Sequence, residues 1–110
     1  MDLAPQLTPA EAGAALRDDG ALAVDVREPE EWQAGHMEGS LWIPLGELQA
    51  RAGELPRDRP LLVVCRSGSR SAYAADALVA AGWDARNLAG GLQGWAAAGL
   101  PLEPAGGYVL

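Results

Sequence analysis

The stretch Leu61-Leu62-Val63-Val64-Cys65-Arg66-Ser67-Gly68-Ser69-Arg70-Ser71 changes character at its cysteine, the only one in the chain. Four consecutive apolar residues suit a short strand buried on both faces. The polar stretch after them, with a glycine at its centre, reads as a tight loop, and Ser69 to Ala81 as a helix. In that helix Ala74, Ala77, Leu78 and Ala81 share one face at three- and four-residue spacing. A strand, a loop that starts on a thiol and a helix aim a ring of backbone N–H groups at one sulfur. That arrangement favours a thiolate and can hold an anion beside it. In open parallel sheets, ligands bind beyond the carboxyl ends of the strands, which is where Cys65 stands. A free cysteine is otherwise a small buried hydrophobe. The neighbouring Arg66, Arg70, Ser67, Ser69, Ser71 and Gly68 favour the reactive reading, with a thiol pKa below the ordinary value of about 8.5.

Strands and helices alternate on both sides of this unit. Upstream, Thr8-Pro9-Ala10-Glu11 carries an N-cap, a first-turn proline and the acidic residue of a capping box, and the helix it opens ends near Gly20. Ala21 to Val26 reads as a buried strand. Pro29-Glu30-Glu31-Trp32 opens a short helix ending near Gly35, Ser40 to Ile43 is a second strand, and Gly46 to Glu54 is helical with Leu48 and Leu55 inward. Downstream, Gly82 closes the helix after Cys65, Ala85 to Leu88 is a fourth strand, and Leu92 to Ala98 is a last helix ended by Gly99. The tail from Pro101 is rich in Pro and Gly and reads as irregular. The pattern predicts an α/β domain with a mainly parallel sheet.

The totals narrow the function. A chain of 110 residues fits one domain, 1–110, with a single core over about 7–101 and an irregular tail over 102–110. The net charge is −7, with eight arginines and no lysine, which argues against nucleic acid as a partner. A lone cysteine leaves no internal disulfide, and there is no Cys/His cluster of metal-binding spacing. Met1-Asp2-Leu3-Ala4-Pro5 lacks the basic and apolar regions of a leader, and no stretch approaches bilayer-spanning length. The expectation is a cytoplasmic protein without metal, membrane or nucleic-acid partner.

Three motifs carry a family resemblance. Cys65-Arg66-Ser67-Gly68-Ser69-Arg70-Ser71 resembles the active-site loop of the rhodanese sulfurtransferases. Asp25-Val26-Arg27-Glu28 with Glu31-Trp32 and Gly35-His36-Met37-Glu38-Gly39-Ser40 resembles that family's first signature, with Met37 and Ser40 departing mildly from the usual Ile and Ala. Leu88-Ala89-Gly90-Gly91-Leu92-Gln93-Gly94-Trp95 with Gly99-Leu100-Pro101 resembles its second. The likeness runs from about Leu7 to Pro101. It implies a rhodanese-like domain with a mainly parallel five-stranded sheet and helices on both faces, one strand more than the four read above.

The resemblance also implies a reaction: Cys65 takes sulfane sulfur from a donor such as thiosulfate as a persulfide and passes it to cyanide or a thiol. Arg66, Ser67, Gly68, Ser69, Arg70 and Ser71 would hold the substrate, and no cofactor or metal is needed. Asp25, Arg27 and His36 are expected to be structural residues near the site, the Asp25–Arg27 pair joining an acidic residue such as Glu31. Cysteine phosphatases resemble C-x-x-x-x-x-R, whereas Cys65 to Arg70 is one residue shorter, which favours sulfur over phosphoryl transfer. Two alternatives remain at this point: a persulfide carrier or regulatory module in a sulfur relay, and a phosphatase or arsenate reductase on the same scaffold.

Overall fold

The computed structural model describes residues 3–110. Met1 and Asp2, part of the segment read above as lacking a leader, lie outside the described residues. Among the described residues no helix is long and apolar enough to cross a membrane.

Five strands form one sheet: β1 (Gln6–Leu7), β2 (Leu22–Asp25), β3 (Leu41–Trp42), β4 (Leu61–Val64) and β5 (Ala85–Leu88). Their spatial order is β1-β5-β4-β2-β3 and every pairing is parallel. The helices are α1 (Pro9–Asp18), α2 (Pro29–Ala34), α3 (Leu48–Arg51), α4 (Ser69–Ala80) and α5 (Gly91–Ala97). The fold is thus an α/β domain of five parallel strands with helices on both faces, the architecture that the resemblance implies. The strand absent from the fourfold reading is β1, whose two residues pair with Asn87 and Leu88.

Local chemistry starts α1 as read: Thr8 Oγ1 accepts from Glu11 N at 3.1 Å, and Thr8 N donates to Glu11 Oε1 at 2.9 Å. The helix expected over Gly46 to Glu54 is a short α-helical turn between two 3-10 turns, Leu45–Glu47 and Ala52–Glu54. Leu48 and Leu55 point inward from it.

β4 is central, and all four of its residues are fully buried. Side chains alternate across a strand. Leu61, Val63 and Cys65 therefore face the core that holds Ala74, Ala75 and Leu78 of α4, while Leu62 and Val64 face the core that holds Ala12 of α1 and Leu92 and Trp95 of α5. Alternation alone turns the Cys65 sulfur toward the helix that follows it.

The tail contains no helix or strand, yet it is docked. His36 and Glu103 exchange backbone hydrogen bonds of 2.9 and 2.8 Å, Tyr108 N donates to Ala34 O at 3.0 Å, and Leu102 and Val109 pack on the α1/α5 core.

Candidate active site

β4 ends at Val64, and the chain from Cys65 to Gly68 curls back on itself before α4 begins. Gly68 makes that curl possible: its φ of +101° is costly for any residue with a Cβ. Cys65 Sγ then lies 3.1 Å from Gly68 N, 3.4 Å from Ser71 N and 3.2 Å from Ser71 Oγ. The two amides can only donate, so the sulfur accepts from both, and the Ser71 hydroxyl donates as the third. An acceptor with three donors is better matched by a thiolate than by a thiol. Burial pushes the Cys65 pKa up, but the Ser71 hydroxyl, followed by the backbone N–H groups of Ser71, Gly68 and Ser67, outweighs it and leaves the pKa lowered. Cys65 itself is fully buried.

A second turn braces the loop from below. Leu92 N donates to Cys65 O at 2.8 Å and Gln93 N to Arg66 O at 3.0 Å. Gly91, at φ +61°, lets the two backbones touch: a Cβ there would strike the Arg66 carbonyl and come within 2.6 Å of Ser67 N. Asn87 adds a polar strut, with Nδ2 donating to Gly68 O at 3.1 Å and to Gln6 Oε1 at 2.8 Å. Asn87, Gly91, Gln93 and Glu31 were not singled out as site residues from sequence. Asn87 did carry a signal, a polar side chain in a strand that should be buried.

The two loop arginines have different surroundings. Arg66 is exposed; its Nε donates to Leu110 O at 3.0 Å, and Gln93, with its amide oxygen turned toward the guanidinium, accepts from Nη1 and Nη2 at 3.1 Å. Of these acceptors the Gln93 amide is neutral. Arg70 instead makes two 2.8 Å bonds to the two carboxylate oxygens of Glu31. That pairing holds the Glu31 carboxyl down to about 2, against the effect of burial and helped by the Glu28 amide. Ser71 is fully buried at the sulfur, whereas Ser67 and Ser69 lie exposed on the rim.

The expected partnership of Asp25 and Arg27 with Glu31 is not what forms. Arg27 binds Asp25 through Nε and Nη2 at 2.8–3.1 Å, and Nη2 also donates to Gly35 O at 2.7 Å. Both side chains are fully buried, and Arg27 Nη1 has no partner. Glu31 is left free for Arg70. The pair fastens the end of β2 to the end of α2, and so positions the helix that carries Glu31. His36 stacks on Trp32 with ring centroids 3.7 Å apart, and its Nδ1 lies 2.8 Å from Trp32 O. Since that carbonyl only accepts, Nδ1 carries the hydrogen. Its Nε2 faces Glu103 Oε1 at 3.7 Å. The ring is occupied by the tail and by α2. Trp95 is a buried core residue whose Nε1 donates to Pro101 O at 2.9 Å.

A groove of about 540 Å³, lined by Leu48, Ala52, Tyr73, Ala77 and Trp83 among others, does not include Cys65. Its lining offers no thiol and no charged side chain. No group of three or more potential metal-ligating side chains occurs among the described residues.

Residues 8–98 match the family model of the rhodanese-like domain. The chain belongs to the rhodanese-like domain family. It is 38% identical over 102 residues to the thiosulfate sulfurtransferase GlpE of Pseudomonas fluorescens, covering 90% of this chain and 91% of that protein. It is 38% identical over 85 residues to a sulfurtransferase of Allochromatium vinosum, covering 76% and 79%. The crystal structure of a rhodanese-related protein from Thermoplasma volcanium superposes with a TM-score of 0.85 at 31% identity, covering 90% of this chain and 97% of that one. In other relatives the matching region is part of a longer chain: this rhodanese-like chain covers 43% of the "Putative sulfur carrier protein YrkF" of Bacillus subtilis, to which it is 37% identical. The loop built on Cys65 is therefore that of a rhodanese-domain sulfurtransferase family member.

Proposed function

We propose that this protein is a sulfurtransferase that carries sulfane sulfur as a persulfide on Cys65. The observation that supports this most is the set of three donors converging on Sγ, from Gly68 N, Ser71 N and Ser71 Oγ. The Cys65 thiolate attacks the outer sulfur of a donor such as thiosulfate. The new S–S bond forms on Cys65, and the old one breaks with its electron pair leaving on sulfite. The persulfide is then held by the loop until a thiolate or cyanide attacks its outer sulfur and restores the Cys65 thiolate, a two-stage covalent transfer. Arg66, exposed and bonded to no Asp or Glu side chain among the described residues, binds the anionic end of the donor. Ser67, Gly68, Ser69 and Ser71 line the cradle, with Arg70 beside it. Asp25, Arg27 and His36 support the site without touching sulfur. No cofactor enters the reaction, and the reading assigns it to the cytoplasm, where reduced thiols serve as acceptors.

The expected result with thiosulfate and cyanide is thiocyanate release, with one added sulfur on Cys65 by intact mass; Cys65→Ser abolishes both while retaining the fold. Absence of any mass increase with every sulfane donor would sink the reading. The similarity to a protein named as a sulfur carrier favours a second reading, a relay module loaded by a protein partner. It predicts slow turnover with small donors and rapid loading from a cysteine desulfurase. The six-residue span Cys65 to Arg70 predicts no Cys65-dependent hydrolysis of an aryl phosphate.

A further inference from the structure

The rim of the loop carries two arginines, and among the described residues only Arg70 is paired with an acidic side chain. Both terminal nitrogens of Arg70 bond the two oxygens of Glu31 at 2.8 Å, while Arg66 meets the Leu110 main-chain oxygen and the Gln93 amide. Glu31 is the better fixed of the ion pair: its side chain is 14% exposed against 35% for Arg70, and its Oε1 also accepts from Glu28 N at 3.0 Å, at the start of α2. Arg70 is within electrostatic reach of the sulfur, since the Cys65 thiolate, after Glu31, helps to raise its pKa. With its carboxyl held down to about 2, Glu31 stays ionised at every pH at which the site would work.

We propose that Glu31 is a specificity-determining residue: by holding Arg70 it withholds one of the loop's two positive charges from the donor, and so favours persulfides, R–S–SH, over dianionic donors such as thiosulfate. The inference rests on the reading that Cys65 accepts sulfane sulfur. With a persulfide, Cys65–S⁻ attacks the outer sulfur, the donor S–S bond breaks, and R–S⁻ departs, giving Cys65–S–SH. With thiosulfate the same thiolate must approach a dianion and expel sulfite as a dianion. That gathers three negative charges beside Glu31, whose own charge adds to them, with Arg66 the loop arginine not held by an acidic side chain of the described residues. The net charge of −7 raises the same barrier from a distance.

The test compares loading of Cys65 by thiosulfate and by cysteamine persulfide, whose ammonium offsets the charge of its ionised persulfide, read as kcat and KM from intact mass, in the wild-type chain, Glu31→Gln and Glu31→Asp. Gln keeps an acceptor for Glu28 N and for Arg70 but removes the charge. Its KM for thiosulfate is expected to fall about fivefold, the equivalent of one part-exposed charge interaction, with persulfide kcat/KM unchanged. Glu31→Asp keeps the wild-type preference. Parallel changes for both donors in Glu31→Gln mean a merely structural role and overturn the proposal. So does thiosulfate loading the wild-type chain faster than the persulfide at equal concentration, a result that needs no variant to fold. If neither donor loads wild-type Cys65, the sulfurtransferase reading falls and takes this one with it; loading by both with an unmoved preference removes this one alone.

Discussion

Ser71 meets the Cys65 sulfur twice, through its amide and its hydroxyl, and it is fully buried there. A hydrogen bond to a charged group contributes about 1.5–3 kcal/mol. Ser71→Ala therefore raises the Cys65 pKa, and the midpoint of thiol alkylation against pH moves upward. At neutral pH alkylation and sulfur loading slow by about tenfold or more, because 1.36 kcal/mol is a factor of ten. Glu31 gives a prediction in acid. Its folded pKa of about 2 lies below the ordinary 4.5, so its pairing with Arg70 stabilises the fold above about 4.5 and loses that effect as pH falls toward 2. Arg70 is about one-third exposed, so solvent screening keeps the contribution near 1 kcal/mol or less. The melting-temperature gap between wild type and Glu31→Gln should be widest at neutral pH and close below pH 4.5.

At the scale of elements, the active loop depends on a neighbouring turn that braces it backbone against backbone. Gly91 at the start of α5 touches the Arg66–Ser67 peptide so closely that Gly91→Ala must push the loop outward or abandon its own φ of +61°. The expected outcome is a loss of about 1–3 kcal/mol in stability, measured by urea unfolding, and a fall in sulfur loading out of proportion to it. The strands and helices that were legible beforehand have strong local signals: the Thr8/Glu11 box, the four apolar residues of β4, and the helical spacing in α4. β1 was not legible because two residues offer no period to read. The Arg70–Glu31 pair was not legible either. Its members are 39 positions apart, and only the parallel sheet brings α2 beside the start of α4. Cys65 and Ser71, six positions apart on one loop, could be read together.

Over the whole molecule, the buried pair Asp25–Arg27 fastens the end of one strand to the end of a helix. Asp25 accepts from Arg27 Nε, Nη2 and backbone N, and Nη2 continues to Gly35 O. Asp25→Ala leaves a fully buried guanidinium without its carboxylate and is expected to cost about 3–5 kcal/mol, read as a lower urea midpoint. From sequence the pair was expected near the site in a structural role, but its partner was misjudged, because the guanidinium turns back on Asp25 two residues earlier rather than across to Glu31. The tail likewise gave no periodic signal, although backbone bonds at His36, Glu103 and Tyr108 dock it.

That docking brings Leu110 O within 3.0 Å of Arg66 Nε, beside the loop that begins at Cys65. A fluorophore or spin label attached at Leu110 would therefore sit at the rim of the reacting loop. It could follow the arrival and departure of sulfur in real time, whereas a bulky purification tag fused at the same point would crowd the entrance and distort the very rates it was meant to help measure.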